Sequence, residues 1–229
     1  AALPQLETVL DVVYNHFATE LVLRAKDRGL TAAGGFEMLV AQAVYAAEHF
    51  TGKPLDSETL IPQISRELQK ELQNVVLIGM PGCGKSTVGA ALAKKLGKTF
   101  VDADAEIERR TGKAIPDIFA QEGEAAFRRY EADVIADLTR QNRQVIACGG
   151  GVVKTPENRH ALRQNGPVLW VQRPLDKLAT TGRPLSKGGA ALREMAHERL
   201  PLYRAAATAT LCNDGALVDT VAAALHLLK

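Results

Sequence analysis

The chain has 229 residues, 46% of them apolar and 24% charged, with a formal net charge of +2. That balance excludes disordered and fibrous classes. It is also too even for the concentrated basic stripe of a nucleic-acid or membrane-surface partner, so any anion site has to be local. Cys83, Cys148 and Cys212 are odd in number and show no metal-ligand spacing, which predicts reduced, buried thiols in a cytoplasmic protein.

No apolar run approaches the roughly 20 residues of a membrane span, and the N-terminus lacks the basic and apolar regions of a signal peptide. The opening Ala1-Ala2-Leu3-Pro4 has no Met, which suggests a processed, tagged or truncated chain. In the first 73 residues the pattern offers one strand candidate, "TVLDVVY", and helices at about 18–28, 35–51 and 57–73. That is thin for a self-sufficient domain. At Gln73-Asn74 a polar helical stretch gives way to an apolar strand, and a domain boundary is expected there.

From residue 75 onward, strands expected at 75–79, 98–102, 144–148, 167–172 and 207–212 alternate with helical patterns. Such alternation implies an α/β fold whose parallel sheet is covered on both faces. "TPEN" marks a helix start with Thr155 as N-cap and Pro156 as first helical residue, and "NDGALVDTVAAALHLL" supplies a closing amphipathic helix.

The segment Gly79 to Ser86 fits G-x-x-x-x-G-K-[ST] between a buried strand and a helix, the context that a phosphate-binding loop requires. The amides of Gly82, Cys83, Gly84, Lys85, Ser86 and Thr87 would cradle the phosphates, with Lys85 bridging the terminal ones and Ser86 on Mg²⁺. This identifies a nucleotide site without separating kinases from GTPases or ATP-driven machines.

The next strand ends in "TFVDADAEIERRTG". In an extended chain Asp102 and Asp104 would face the same crevice, one holding a metal's water shell and the other accepting a hydroxyl proton; a helix-capping pair is the plainer alternative. In "GEAAFRRYEADVI" Arg128 and Glu131 are three apart and can pair on one helix face. Gly149, Gly150 and Gly151 follow the third strand and would leave backbone close to a substrate. "TTGRPLSKGG" reads as a mobile loop around Arg183, and "ERLPLYRAAA" supplies Arg199. Together Arg128, Arg183 and Arg199 lie on segments able to converge on one anionic acceptor.

In the order of these pieces (phosphate loop, D-x-D, F-R, G-G-G, R-P-L, E-R-x-P-L-Y), residues 75–229 resemble the shikimate kinases. The resemblance implies a fold like the nucleoside monophosphate kinases, with five parallel strands in the order 2-3-1-4-5, a closing lid, ATP and Mg²⁺ as cofactors, and phosphorylation of the 3-hydroxyl of shikimate. It further implies Asp104 on the shikimate hydroxyls as base and Asp102 holding Mg²⁺ through water. Arg128 and Arg199 would grip the substrate carboxylate, Gly149, Gly150 and Gly151 line the pocket, and Arg183 swing in with the lid. "DKLATTGRPL" departs from many relatives in being short, with Ala179 and Thr180 where an adenine-stacking Arg often stands.

Residues 1–73, with "VVYNHFATELVLRAKDRG" and "GGFEMLVAQAVYAAEHFTGKPL", resemble the C-terminal end of shikimate dehydrogenase, His16 standing where Pro is usual and Gln42 at a shikimate-contacting position. They hold neither a dinucleotide fingerprint nor a locatable catalytic Lys and Asp. The expectation is therefore the carboxyl-terminal piece of a fused dehydrogenase and kinase, monomeric in its kinase part, with no nucleic-acid or membrane partner. A gluconate-type kinase and a nonenzymatic sensor of shikimate or nucleotide are the alternatives.

Overall fold

The computed structural model describes residues 5–178 and 189–229. The chain divides into two compact units, one of residues 1–73 with 163–165 and one of residues 74–162 with 166–229.

The first unit pairs β1 (Thr8–Leu10) in parallel with β2 (Thr31–Ala33), joined through α1 (Glu20–Asp27), and continues with α2 (Phe36–Thr51) and α3 (Ser57–Leu72). The three helices fall where the apolar periodicity puts them. The strand read over "TVLDVVY" stops after Leu10, because the Asp11 carboxylate turns the chain by accepting the Val13 N–H at 3.0 Å and the Thr19 hydroxyl at 2.5 Å. β2 has no apolar alternation to announce it. Its "TAA" is a strand only because β1 lies alongside.

The second unit runs β3 (Val75–Ile78), α4 (Lys85–Leu96), β4 (Thr99–Asp102), α5 (Ala103–Thr111), α6 (Ile115–Gln121), α7 (Gly123–Arg140), β5 (Gln144–Ala147), α8 (Pro156–Leu162), β6 (Val168–Gln172), α9 (Gly189–Ala206), β7 (Ala209–Cys212) and α10 (Leu217–Leu227). Its five strands are all parallel in the order β4-β5-β3-β6-β7, which is 2-3-1-4-5 within the unit. β3 is central, and its four residues are buried on both faces, as a sheet covered on both sides demands. Leu77, Ile78, Ile146, Leu169 and Leu211 form the middle of one continuous core with Leu92, Ile107 and Ile135 from the covering helices.

Pro156 opens α8 as expected. All three thiols are free, but only Cys83 and Cys148 are buried; Cys212, expected inside, is exposed because it ends the edge strand β7 on the outward phase of its alternation. Among the described residues no helix is long and apolar enough to cross a membrane.

Candidate active site

The phosphate loop leaves β3 at the carboxyl rim of the sheet, where open parallel sheets bind ligands. Gly79 and Gly84 are fixed there by conformation and by space. Their φ values are +146° and +95°, and an added Cβ would stand 2.4 Å from the Val171 carbonyl oxygen and 2.4 Å from Asn213 Nδ2. Lys85 is buried, and its Nζ donates to the Gly79 carbonyl at 2.9 Å and the Met80 carbonyl at 3.1 Å. These contacts hold the cation inside the loop it has to serve.

Ser86 follows at the exposed N-terminal turn of α4 and donates to Asp102 Oδ2 at 2.6 Å. Asp102 Oδ1 accepts the Asp104 N–H at 3.1 Å and the Ala105 N–H at 3.4 Å, capping α5. The extended spacing expected for the D-x-D pair is therefore absent. β4 ends at Asp102 and Asp104 already lies in the first helical turn, so it is the start of α5 that sets the angle between the carboxylates. Asp102 both caps the helix and reaches the nucleotide loop, joining the two readings of the sequence. An exposed hydroxyl and a carboxylate in contact, beside a loop of amides, suit a hard divalent cation that keeps several waters.

The acceptor side is built around three glycines, each making room for a different group. A Cβ on Gly149 would meet Asp104 Oδ1 at 2.5 Å, one on Gly150 would meet the Pro81 ring at 2.7 Å, and one on Gly151 would meet the Arg128 guanidinium at 2.5 Å. The glycine run thus admits side chains from the phosphate loop, α5 and α7 to one point. Asp104 has its pKa raised, chiefly by burial and then by the negative charge of Asp102, with Lys85 opposing. Arg128 Nη1 donates to Glu131 Oε2 at 2.8 Å, and its Nη2 to Glu124 Oε1 at 3.0 Å.

Glu131 is buried, with Oε1 lacking a hydrogen-bond partner among the described residues. Burial raises its carboxyl above the ordinary range, and Arg128 only partly offsets this. Arg128 itself is shifted in the direction that keeps its charge, because Glu131 and Glu124 outweigh the burial that opposes it. The two shifts differ because the carboxylate lies deeper than the guanidinium, 2% against 18% exposed. Arg199, on α9, is also buried, within electrostatic reach of Glu131, and its Nε has no hydrogen-bond partner among the described residues. Buried polar atoms without a hydrogen bond on both Glu131 and Arg199, the latter's Nε only in a 3.9 Å ion pair with Glu198, mark a place where a polar ligand would complete the hydrogen bonding.

The structure therefore gathers Lys85, Ser86, Asp102, Asp104, Arg128 and Gly149 to Gly151 at one rim, with Arg199 coupled to them through Glu131. Arg183, with the neighbouring Ala179 and Thr180, lies outside the described residues. Two contributors escape sequence reasoning. Tyr203 donates its hydroxyl to the Gly150 carbonyl at 2.5 Å, and Asn213 Nδ2 donates to the Cys83 carbonyl at 2.7 Å. Their partners are 53 and 130 residues away, and no local pattern encodes such a pairing.

A parallel sheet in this order, with a phosphate loop after its central strand and a mixed-charge cluster at the same rim, defines a P-loop kinase-like α/β protein. The family model described as "Shikimate kinase" matches residues 81–227. Among curated relatives, the shikimate kinase of Symbiobacterium thermophilum is 42% identical over 68% of this chain and 96% of its own length. That of Nitrosomonas europaea is 48% identical over 57% of this chain and 66% of its own. A solved structure of the Acinetobacter baumannii shikimate kinase in complex with shikimate is 40% identical, with a TM-score of 0.66, covering 71% of this chain and 96% of that one. The chain belongs to the shikimate kinase family.

Proposed function

We propose that the chain transfers the γ-phosphoryl of ATP to the 3-hydroxyl of shikimate. The observation that carries this reading is the part-buried Arg128–Glu131 pair with the buried Arg199, set beside Asp104 against a glycine run that abuts the phosphate loop. Planar guanidinium groups suit a carboxylate, and a carboxyl of raised pKa suits proton acceptance from an alcohol.

Lys85 and the amides of Gly82 to Thr87 would hold the triphosphate, and Ser86 with Asp102 would hold the divalent cation, Asp102 through water. When bound, the magnesium nucleotide supplies the phosphoryl group and a divalent charge that offsets its anionic oxygens. Asp104 holds the acceptor hydroxyl and takes its proton at a carboxylate oxygen. Arg128 and Arg199 fix the substrate carboxylate, while Gly149, Gly150 and Gly151 line the pocket. Arg183, the arginine of R-P-L, balances the charge of the transferring group. Coupled measurement of ADP release with shikimate, quinate and gluconate in parallel tests the assignment: turnover confined to shikimate is expected, and turnover with gluconate alone overturns it.

Residues 1–73 we assign to a separate domain, the carboxyl-terminal part of a dehydrogenase acting on the same small acid, fused to a cytoplasmic kinase domain at 74–229 that is monomeric. Support comes from the V-Y-N and G-x-x-M-L-x-x-Q-A patterns and from a parallel β1–β2 pair joined through a helix, a βαβ arrangement. An in-frame nucleotide-binding βαβ unit upstream in the gene is expected; a stop codon followed by a local start overturns the fusion.

A further inference from the structure

The phosphate loop is held from outside by a residue that follows the edge strand. Asn213 directly follows β7, and its backbone N–H donates to the Gln172 carbonyl at 2.8 Å. Its side chain is buried and donates through Nδ2 to the Cys83 carbonyl inside the loop at 2.7 Å. On its other side Asn213 Oδ1 accepts the hydroxyl of Thr220, a buried residue of α10, at 3.0 Å, and the same hydroxyl lies 3.3 Å from the Ala216 carbonyl. The Cys83 carbonyl can only accept, so it is Nδ2 that faces the loop and Oδ1 that is left to Thr220, whose hydroxyl holds the amide from behind.

A trans peptide is planar, with its C=O and N–H directed oppositely. Drawing the Cys83 carbonyl onto Asn213 therefore turns the Gly84 N–H away from Asn213. Gly84 also owes its missing side chain to this contact, because a Cβ would stand 2.4 Å from Asn213 Nδ2.

We propose that Asn213 and Thr220 are a positioning pair for the nucleotide, setting the Cys83–Gly84 peptide so that its amide faces the phosphates. The inference rests on the nucleotide reading of the loop and adds two residues from the end of the sheet to its support.

Four variants of the full chain separate this from general stabilisation. Asn213→Asp keeps the size and the acceptor for Thr220 but has no hydrogen to give Cys83 and adds a charge; Asn213→Leu, of similar shape, removes the same donor without a charge; Thr220→Val keeps the shape but frees the amide; Thr220→Ser keeps the hydroxyl. Magnesium ATP binding is measured by titration calorimetry, beside KM for each substrate and Tm. Asn213→Leu is expected to weaken ATP binding about tenfold, Asn213→Asp at least as much, and Thr220→Val about threefold, as loss of buried hydrogen bonds would. Thr220→Ser is expected to bind ATP as wild type does, with shikimate KM held within about twofold in all four. Unchanged ATP affinity in Thr220→Val and in whichever uncharged or charged Asn213 variant folds overturns the proposal, as does an equal loss for both substrates that tracks Tm, or a loss in Asn213→Asp that Asn213→Leu does not share. Wild-type protein that binds ATP but does not phosphorylate shikimate overturns the function reading instead, and the ATP affinities still decide this one.

Discussion

The two units place their apolar residues in opposite ways. In the second, both faces of a five-stranded sheet are covered, and Leu77, Ile78, Val145, Ile146 and Leu169 are wholly withdrawn from water. In the first, Val22, Leu23, Ala25, Val40 and Val44 are the buried apolar residues among those described, whereas Phe50 is 85%, Leu10 76% and Val12 70% exposed. A two-stranded parallel pair has too little sheet to bury two faces, and parallel strands are normally found covered on both. The contrast teaches that a site demanding fixed distances sits on the unit whose sheet is covered on both faces, while the two-stranded pair of the other leaves apolar side chains exposed.

The largest expected effect tests whether function belongs to the second unit alone. Lys85→Met should lower kcat about 10³-fold, near 4 kcal/mol of transition-state stabilisation, with the Tm little changed; steady-state kinetics and a thermal melt check both halves. Next in size, Leu77→Ala in the central strand should cost about 3 kcal/mol in denaturant unfolding, as a cavity in a fully packed core does.

Glu131→Gln separates stability from function within one side chain. Because the folded carboxyl has a raised pKa, the folded chain binds that proton more tightly than the unfolded one, and this residue's contribution to stability falls as pH rises from about 4.3 through the raised value. The variant loses that dependence. Its Tm relative to wild type should therefore rise from pH 4 to pH 8, while shikimate KM rises about tenfold, since Arg128 loses an anionic partner. Melts across pH 4 to 8 with kinetics at pH 7 decide it. Smallest is Phe50→Ser in the first unit, expected to change unfolding free energy by less than about 0.5 kcal/mol where Leu77→Ala costs several times that.

Legibility along the chain followed how local each signal was. The phosphate loop and the five strands of the second unit were readable, because glycine spacing and apolar runs each act over a few residues. β2 was not, since "TAA" becomes a strand only by pairing with β1. The geometry of the D-x-D pair was misread for a related reason: whether Asp104 continues a strand or begins a helix is settled by Asp102 taking its N–H.

By itself the sequence determined the chemistry that is available: a phosphate loop, two carboxylates, a glycine run and a set of arginines, all in order along an alternating α/β pattern. The tertiary structure alone decided which glycine admits which side chain, that Tyr203 grips the Gly150 carbonyl, and that Asn213 reaches Cys83 across the sheet. Contacts of that kind depend on strand order and helix placement, which emerge when the whole sheet closes its core and leave no trace in the spacing of neighbouring residues.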